Sequence, residues 1–172
     1  AGRKRVGKDS FFEAVLSSGE SVRRMAFADA IKRDMQKLPL MADPNVSKEV
    51  KRPLLQAYGE ACKKHCGDDY WLIRLQYDFA AAIPSLRTVI ITDVRFQNEA
   101  DWIRSRGGKI VKIEREVRGA TDSHVSETSV DDIVADYYIL NEGSFSDYET
   151  KAIELFKMAV AEMDFDRKPQ AK

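Results

Sequence analysis

Apolar side chains recur at helical spacing through the first half of the chain. Phe11, Ala14 and Val15 mark one side of a short helix from Ser10 to Leu16, which Ser17, Ser18 and Gly19 end. Met25, Ala28, Ile31, Met35 and Leu38 predict a second helical stretch over Val22 to Leu38, before PLMADPNVS, where Pro39 and Pro44 mark a loop. Two more helices are expected over Lys48 to Cys66 and Asp69 to Ala82; the second carries the stripe Trp71, Leu72, Leu75 and Phe79 and is closed by Pro84. The pattern then changes. TVIITDV, Thr88 to Val94, is apolar and β-branched with no polar alternation, which suits a strand buried on both faces. DWIRSRGG reads as a helix stopped by Gly107 and Gly108, and KIVKIER, Lys109 to Arg115, as the next strand of a parallel strand–helix–strand unit. A polar loop from Glu116 to Asp131, a strand at Tyr137 to Leu140, a helix from about Ser146 to Met163 and the frayed tail DFDRKPQAK complete an α/β chain.

Composition narrows the class. With 172 residues and 44% hydrophobic content the chain fits one soluble domain with a proper core. Lys plus Arg equals Asp plus Glu at 28 each, so the formal charge is zero, which argues against broad nucleic-acid binding. No run approaches the roughly 18 apolar residues needed to span a bilayer and no signal peptide is visible, so a cytoplasmic protein without a membrane partner is expected. Cys62 and Cys66 share a helix face, but His65 points about 100° away from Cys66. Without a second ligand pair, reduced structural thiols are the expectation over a zinc site.

Candidate chemistry lies at two places. Gly2, Gly7 and Lys8 in AGRKRVGKDSFF have the G-x-x-x-x-G-K spacing of a phosphate-binding loop, whose backbone N–H groups and following helix N-terminus hold phosphates. Asp9 stands where a hydroxyl usually follows the Lys, and Ser10 comes one residue late. No strand precedes the loop, although such a loop normally hangs from one. Either the chain begins just after that strand, or Arg3, Lys4, Arg5 and Lys8 form a basic tail. The second place is TDVRFQNEA, with Asp93 at the carboxyl end of the central strand, then Arg95 and Glu99. Ligands bind at that edge of open α/β sheets; Asp93 could support Mg²⁺ and Arg95 could clamp a phosphate. The alternative is an Asp capping the next helix and an Arg95–Glu99 pair.

Eight blocks in order resemble the phage-type deoxynucleoside monophosphate kinases, a branch of the P-loop kinases. They are GRKRVGKDS (family G-x-x-x-S/A-G-K-D-T), FADAIK at Phe27 to Lys32, RPLLQAYG at Arg52 to Gly59, DYW at Asp69 to Trp71, TDVRFQNEA, IRSRGGKIVKIERE, DSHVSE at Asp122 to Glu127, and LNEGSFSD at Leu140 to Asp147. The departures are the absent leading strand, Ser10 for the usual Thr, and Glu60 after Gly59 where a Thr is common. Because the family also places Asp after the Lys, GKDS is its own variant of the loop. Animal-type phosphomevalonate kinases share a similar loop and a D-x-R after the strand; RPLLQAYG and FADAIK favour the nucleotide kinases.

The resemblance implies a single P-loop kinase domain over 1–172, a parallel sheet flanked by helices with the strand before the loop absent from this chain. It has a helical substrate-binding insertion at about 20–84, a lid-like loop at about 116–131 and a tail at 164–172. It implies transfer of the ATP γ-phosphate to a deoxynucleoside monophosphate. Lys4, Arg5, Gly7, Lys8, Asp9 and Ser10 would hold ATP, Lys8 bridging the β- and γ-phosphates. Mg²⁺ would draw on Asp9, Ser10 and Asp93. Lys32, Arg52, Gly59, Trp71, Asp93, Arg95 and Glu99 fall on the substrate side, with Arg52 and Arg95 for the acceptor phosphate. Trp71 would either stack on the base or pack in the core; Glu99 would fix base or ribose, or orient Arg95. Lys8, Arg95 and Arg115 would act on the transferring group, Arg115 otherwise pairing with Glu114 or Glu116. His124 and Glu127 would take a structural or loop-ordering role, since a phosphate acceptor already anionic near neutral pH needs no general base. NEGS, Asn141 to Ser144, forms a turn or presents backbone to adenine. The partners are then small molecules, and the many helices around one sheet leave room for a homodimer. Other outcomes are a kinase of another small phosphate acceptor, or a nucleotide-binding module without catalysis.

Overall fold

The computed structural model describes residues 1–2, 6–82, 88–115 and 129–167, with side chains through 164. It divides into two compact units, 1–24 with 88–172, and 25–87.

The first unit is α/β. Its helices are α1 (Lys8–Ser17), α6 (Gln97–Arg104) and α7 (Phe145–Arg167). Its strands are β1 (Val22–Met25, whose last residue belongs to the second unit), β2 (Thr88–Ile91), β3 (Val111–Glu114) and β4 (Tyr137–Leu140). A 3₁₀ turn covers Ser129–Asp132. Two-stranded sheets form: β1 pairs with β2, and β3 runs parallel to β4 with Val111 opposite Tyr137 and Ile113 opposite Ile139. The core joins sheet and helices: Phe11, Val15, Ile113, Ile139, Tyr148 and Phe156 are all buried in one cluster. In α7, Tyr148, Ala152 and Phe156 recur every four residues, the stripe that buries the helix against α1.

The second unit is helical: α2 (Phe27–Met35), α3 (Pro39–Ala42), α4 (Lys48–Cys66) and α5 (Tyr70–Ala82). Ser47 caps α4 by accepting from the Val50 N–H at 3.4 Å, and Gly67 ends it at φ 102°. Arg74 on α5 donates two hydrogen bonds to Asp34 at 2.9 and 3.1 Å, clamping α5 to the α2 terminus.

Several expectations are corrected. The stretch from Val22 to Leu38 is not one helix. Val22–Met25 is an extended segment that pairs with β2, and helix α2 starts only after the extended Ala26. Pro39 starts a helical turn in place of a loop, since its missing N–H is not needed at a first helical position. The central strand stops at Ile91, three residues short of Val94, and β3 spans only Val111–Glu114. Helix α6 begins four residues before Asp101, because Glu99 caps it from within. Helix α7 runs on to Arg167, taking DFDR out of the tail, because no breaker precedes Pro169. No helix among the described residues is long and apolar enough to cross a membrane.

Candidate active site

Gly2, Val6 and Gly7 lie against the carboxyl ends of β3 and β4. Asn141, the residue after β4, donates its N–H to Glu114 O at 2.7 Å and its side-chain Nδ2 to Val6 O at 2.7 Å. Tyr148, wholly buried in α7, donates its hydroxyl to Gly7 O at 2.8 Å, and burial raises its pKa well above the usual phenol range. Gly7 is held at φ 108°, where a side chain is strained, and a Cβ there would stand 2.5 Å from Asn141 Nδ2. The same Gly7 is the N-cap of α1 and supplies no side-chain cap, which leaves the positive end of the helix beside Lys8. Lys8 Nζ donates to Gly2 O at 2.8 Å, folding the ammonium back over the loop.

Charge converges here. Burial lowers the Ala1 amino group to about 5; the Lys8 and Lys112 ammonium groups push the same way and the Asp93 carboxylate opposes them. Asp93, just past β2, is half-buried, as is Ser10 in the first turn of α1. Both are hard oxygen donors, and Mg²⁺ asks for only one or two of these besides water. Asp9 fits that role less well: its carboxylate is 82% exposed and stands 3.6 Å from Arg24 Nε.

Glu99 departs from the substrate-side expectation. It is 7% exposed, and its Oε2 accepts the backbone N–H groups of Arg95 at 2.7 Å and Phe96 at 3.2 Å. A carboxylate spent this way fixes the backbone that presents Arg95, and the pairing expected between the two residues runs through Arg95's main chain. Arg95 itself is half-buried, and Arg115 is exposed immediately after β3.

In the helical unit, Trp71 is 5% exposed, donates its indole N–H to Gly59 O at 2.9 Å and packs edge-on to Tyr70 at 4.8 Å. It is a core side chain with no open face for a base. Gly59 serves the same packing: a Cβ would lie 3.2 Å from Ile31 Cδ1. Arg52 is exposed on α4, and Lys32 is exposed on α2, 3.6 Å from Asp29. Cys62 and Cys66 are free thiols, and no group of three or more His, Cys, Asp or Glu side chains among the described residues could hold a metal ion.

Lys4, Arg5, His124 and Glu127 lie outside the described residues, as does the lid-like loop up to residue 128. Sequence reasoning missed Asn141 and Tyr148. Asn141 read as part of a turn; Tyr148 was detectable only as the first member of the α7 stripe.

The family model for deoxynucleotide monophosphate kinase matches residues 40–152. A protein of Acanthamoeba polyphaga mimivirus, named "Putative deoxynucleotide monophosphate kinase", is 38% identical over 66 residues, a stretch covering 38% of this chain and 34% of the mimivirus protein. The alignment thus spans about a third of that relative's length.

Proposed function

The chain belongs to the deoxynucleotide monophosphate kinase family, and on that footing we propose that it transfers the γ-phosphate of ATP to a deoxynucleoside monophosphate, giving the diphosphate and ADP. The observation that carries this reading is the arrangement of Gly2, Val6, Gly7 and Lys8. The Lys8 ammonium is turned inward onto Gly2 O, an uncapped helix N-terminus stands beside it, and Asn141 and Tyr148 hold the Val6 and Gly7 carbonyls.

Phosphoryl transfer asks a protein for positioning and for neutralisation of charge on the moving group, with little covalent work. Lys8 leaves Gly2 O for the β- and γ-phosphates, while the α1 N-terminus donates to phosphate oxygens. Asp93 and Ser10 would hold Mg²⁺, which when bound neutralises charge on the ATP phosphates. Arg95, its main chain fixed by Glu99, grips the acceptor phosphate, a task suited to a planar fork. Arg115 is the candidate for charge developing on the transferring group. In the helical unit Arg52 and Lys32 carry the acceptor-side role, with Gly59 and Trp71 supporting the helices beneath them.

The test is product analysis with ATP, Mg²⁺ and each deoxynucleoside monophosphate in turn, with phosphomevalonate as a non-nucleotide control. Conversion of at least one deoxynucleotide is expected, with Lys8→Ala and Arg95→Ala each losing roughly a hundredfold or more of kcat/KM. ATP binding with no turnover of any deoxynucleotide would overturn the proposal.

A further inference from the structure

Asn141 opens the motif NEGS, and its main-chain and side-chain amides are both spent on backbone carbonyls. The main-chain N–H bonds Glu114 O at 2.7 Å, which carries the parallel β3–β4 ladder one rung past the Glu114–Leu140 pair. The side-chain Nδ2 bonds Val6 O at 2.7 Å. A carbonyl only accepts, so the amide group turned to Val6 is the NH₂. At the other end of the motif the Ser144 N–H is taken by Asp147 Oδ2 at 3.1 Å. Two of the motif's main-chain donors are thus committed inside the protein, which counts for the turn over a backbone that faces adenine.

The two carbonyls belong to the neighbours of reacting groups. Val6 precedes Gly7 and Lys8, and Glu114 precedes Arg115. Asn141 is a short arm, gripped at its backbone by the end of β3 and at its tip by Val6. Such an arm sets the offset between Val6 O and Glu114 O, and with it the offset between the Gly7–Lys8 backbone and the backbone that carries Arg115. Packing holds the arm from the side as well, since a Cβ on Gly7 would stand 2.5 Å from Nδ2. Tyr148 differs: its hydroxyl holds Gly7 O at 2.8 Å from helix α7 rather than from the end of β3.

We propose that Asn141 is a positioning residue for phosphoryl transfer, holding Lys8 and Arg115 in register so that both meet the same transferring phosphate. This rests on the kinase reading of the site. Arg115 carries its charge on a long side chain, so its planar fork serves only where its backbone is held. A shift of about 1 Å between groups that act on one transition state can cost roughly a hundredfold in rate. Acceptor binding falls to Arg95, Arg52 and Lys32, which stand on other elements. Loss of the arm therefore acts on kcat and leaves the acceptor KM near that of the parent.

The test is a double-variant cycle with ATP, Mg²⁺ and the deoxynucleotide that the parent turns over best, run below the melting onset of every variant. Asn141→Ala and Asn141→Asp are each measured alone and together with Arg115→Ala. The Asp variant keeps the shape of the side chain and sets an acceptor where Val6 O needs a donor, so the cycle can be closed even if the Ala variant does not fold. Each substitution at Asn141 is expected to lower kcat roughly ten- to a hundredfold, with the acceptor KM within about threefold of the parent. With Arg115 already alanine the same substitutions are expected to cost less than about threefold, because no fork is left to keep in register. Tyr148→Phe controls for general loosening around Gly7, and its loss is expected to be the same with and without Arg115. An equal loss from the Asn141 variants in both backgrounds, or a loss confined to KM, would overturn the proposal. So would Tyr148→Phe coupling to Arg115 as strongly as Asn141 does. A parent that turns over no deoxynucleotide overturns the kinase reading itself, and this inference with it.

Discussion

Replacing Gly7 by alanine strains the loop at its tightest point. Gly7 sits at φ 108°, ψ 22°, where an L-residue costs about 1–2 kcal/mol. The new Cβ would stand 2.5 Å from Asn141 Nδ2 and 3.2 Å from the Tyr148 hydroxyl, so the amide has to withdraw from Val6 O. Losing that hydrogen bond costs a further 0.5–1.5 kcal/mol or so, for a total of about 1.5–3.5 kcal/mol. For a domain of this size each kcal/mol lowers Tm by roughly 2–4 °C, so Gly7→Ala is expected to melt about 3–14 °C below the parent. Calorimetry of Gly7→Ala, Asn141→Ala and the double variant separates strain from contact. Asn141→Ala removes the atom the Cβ strikes, so the double variant is expected to be less destabilised than the sum, by about 1 kcal/mol. A single variant melting with the parent, or strict additivity of the pair, would refute the account of the loop as a glycine position fixed by Asn141.

Two further outcomes follow from the same geometry. Tyr148→Phe leaves Gly7 O without its hydroxyl donor and is expected to lose about 1–2 kcal/mol by chemical denaturation; an unchanged midpoint would show that the bond at 2.8 Å contributes nothing. Trp71→Phe removes the indole N–H from Gly59 O and lowers stability by about 1–3 kcal/mol; a raised KM with stability unchanged would instead restore Trp71 to the substrate side.

What the chain determines by itself is local. Residue spacing located α4, α5 and β4, and marked α7 but for its end, because apolar period and breakers such as Pro84 act within a few residues. The order of short blocks from GRKRVGKDS to LNEGSFSD carried the family, since each block keeps the residues its chemistry needs. Tertiary structure decided the partners. Whether Val22–Met25 is helix or strand depends on the β2 edge it meets, and whether Trp71 or Glu99 faces solvent depends on Gly59 O and on the Arg95 backbone. The bonds from Asn141 and Tyr148 to the loop cross 135 and 141 residues. Hydrogen bonds and packing act between neighbours in space, and no spacing along the chain encodes which distant carbonyl a buried hydroxyl or amide will meet.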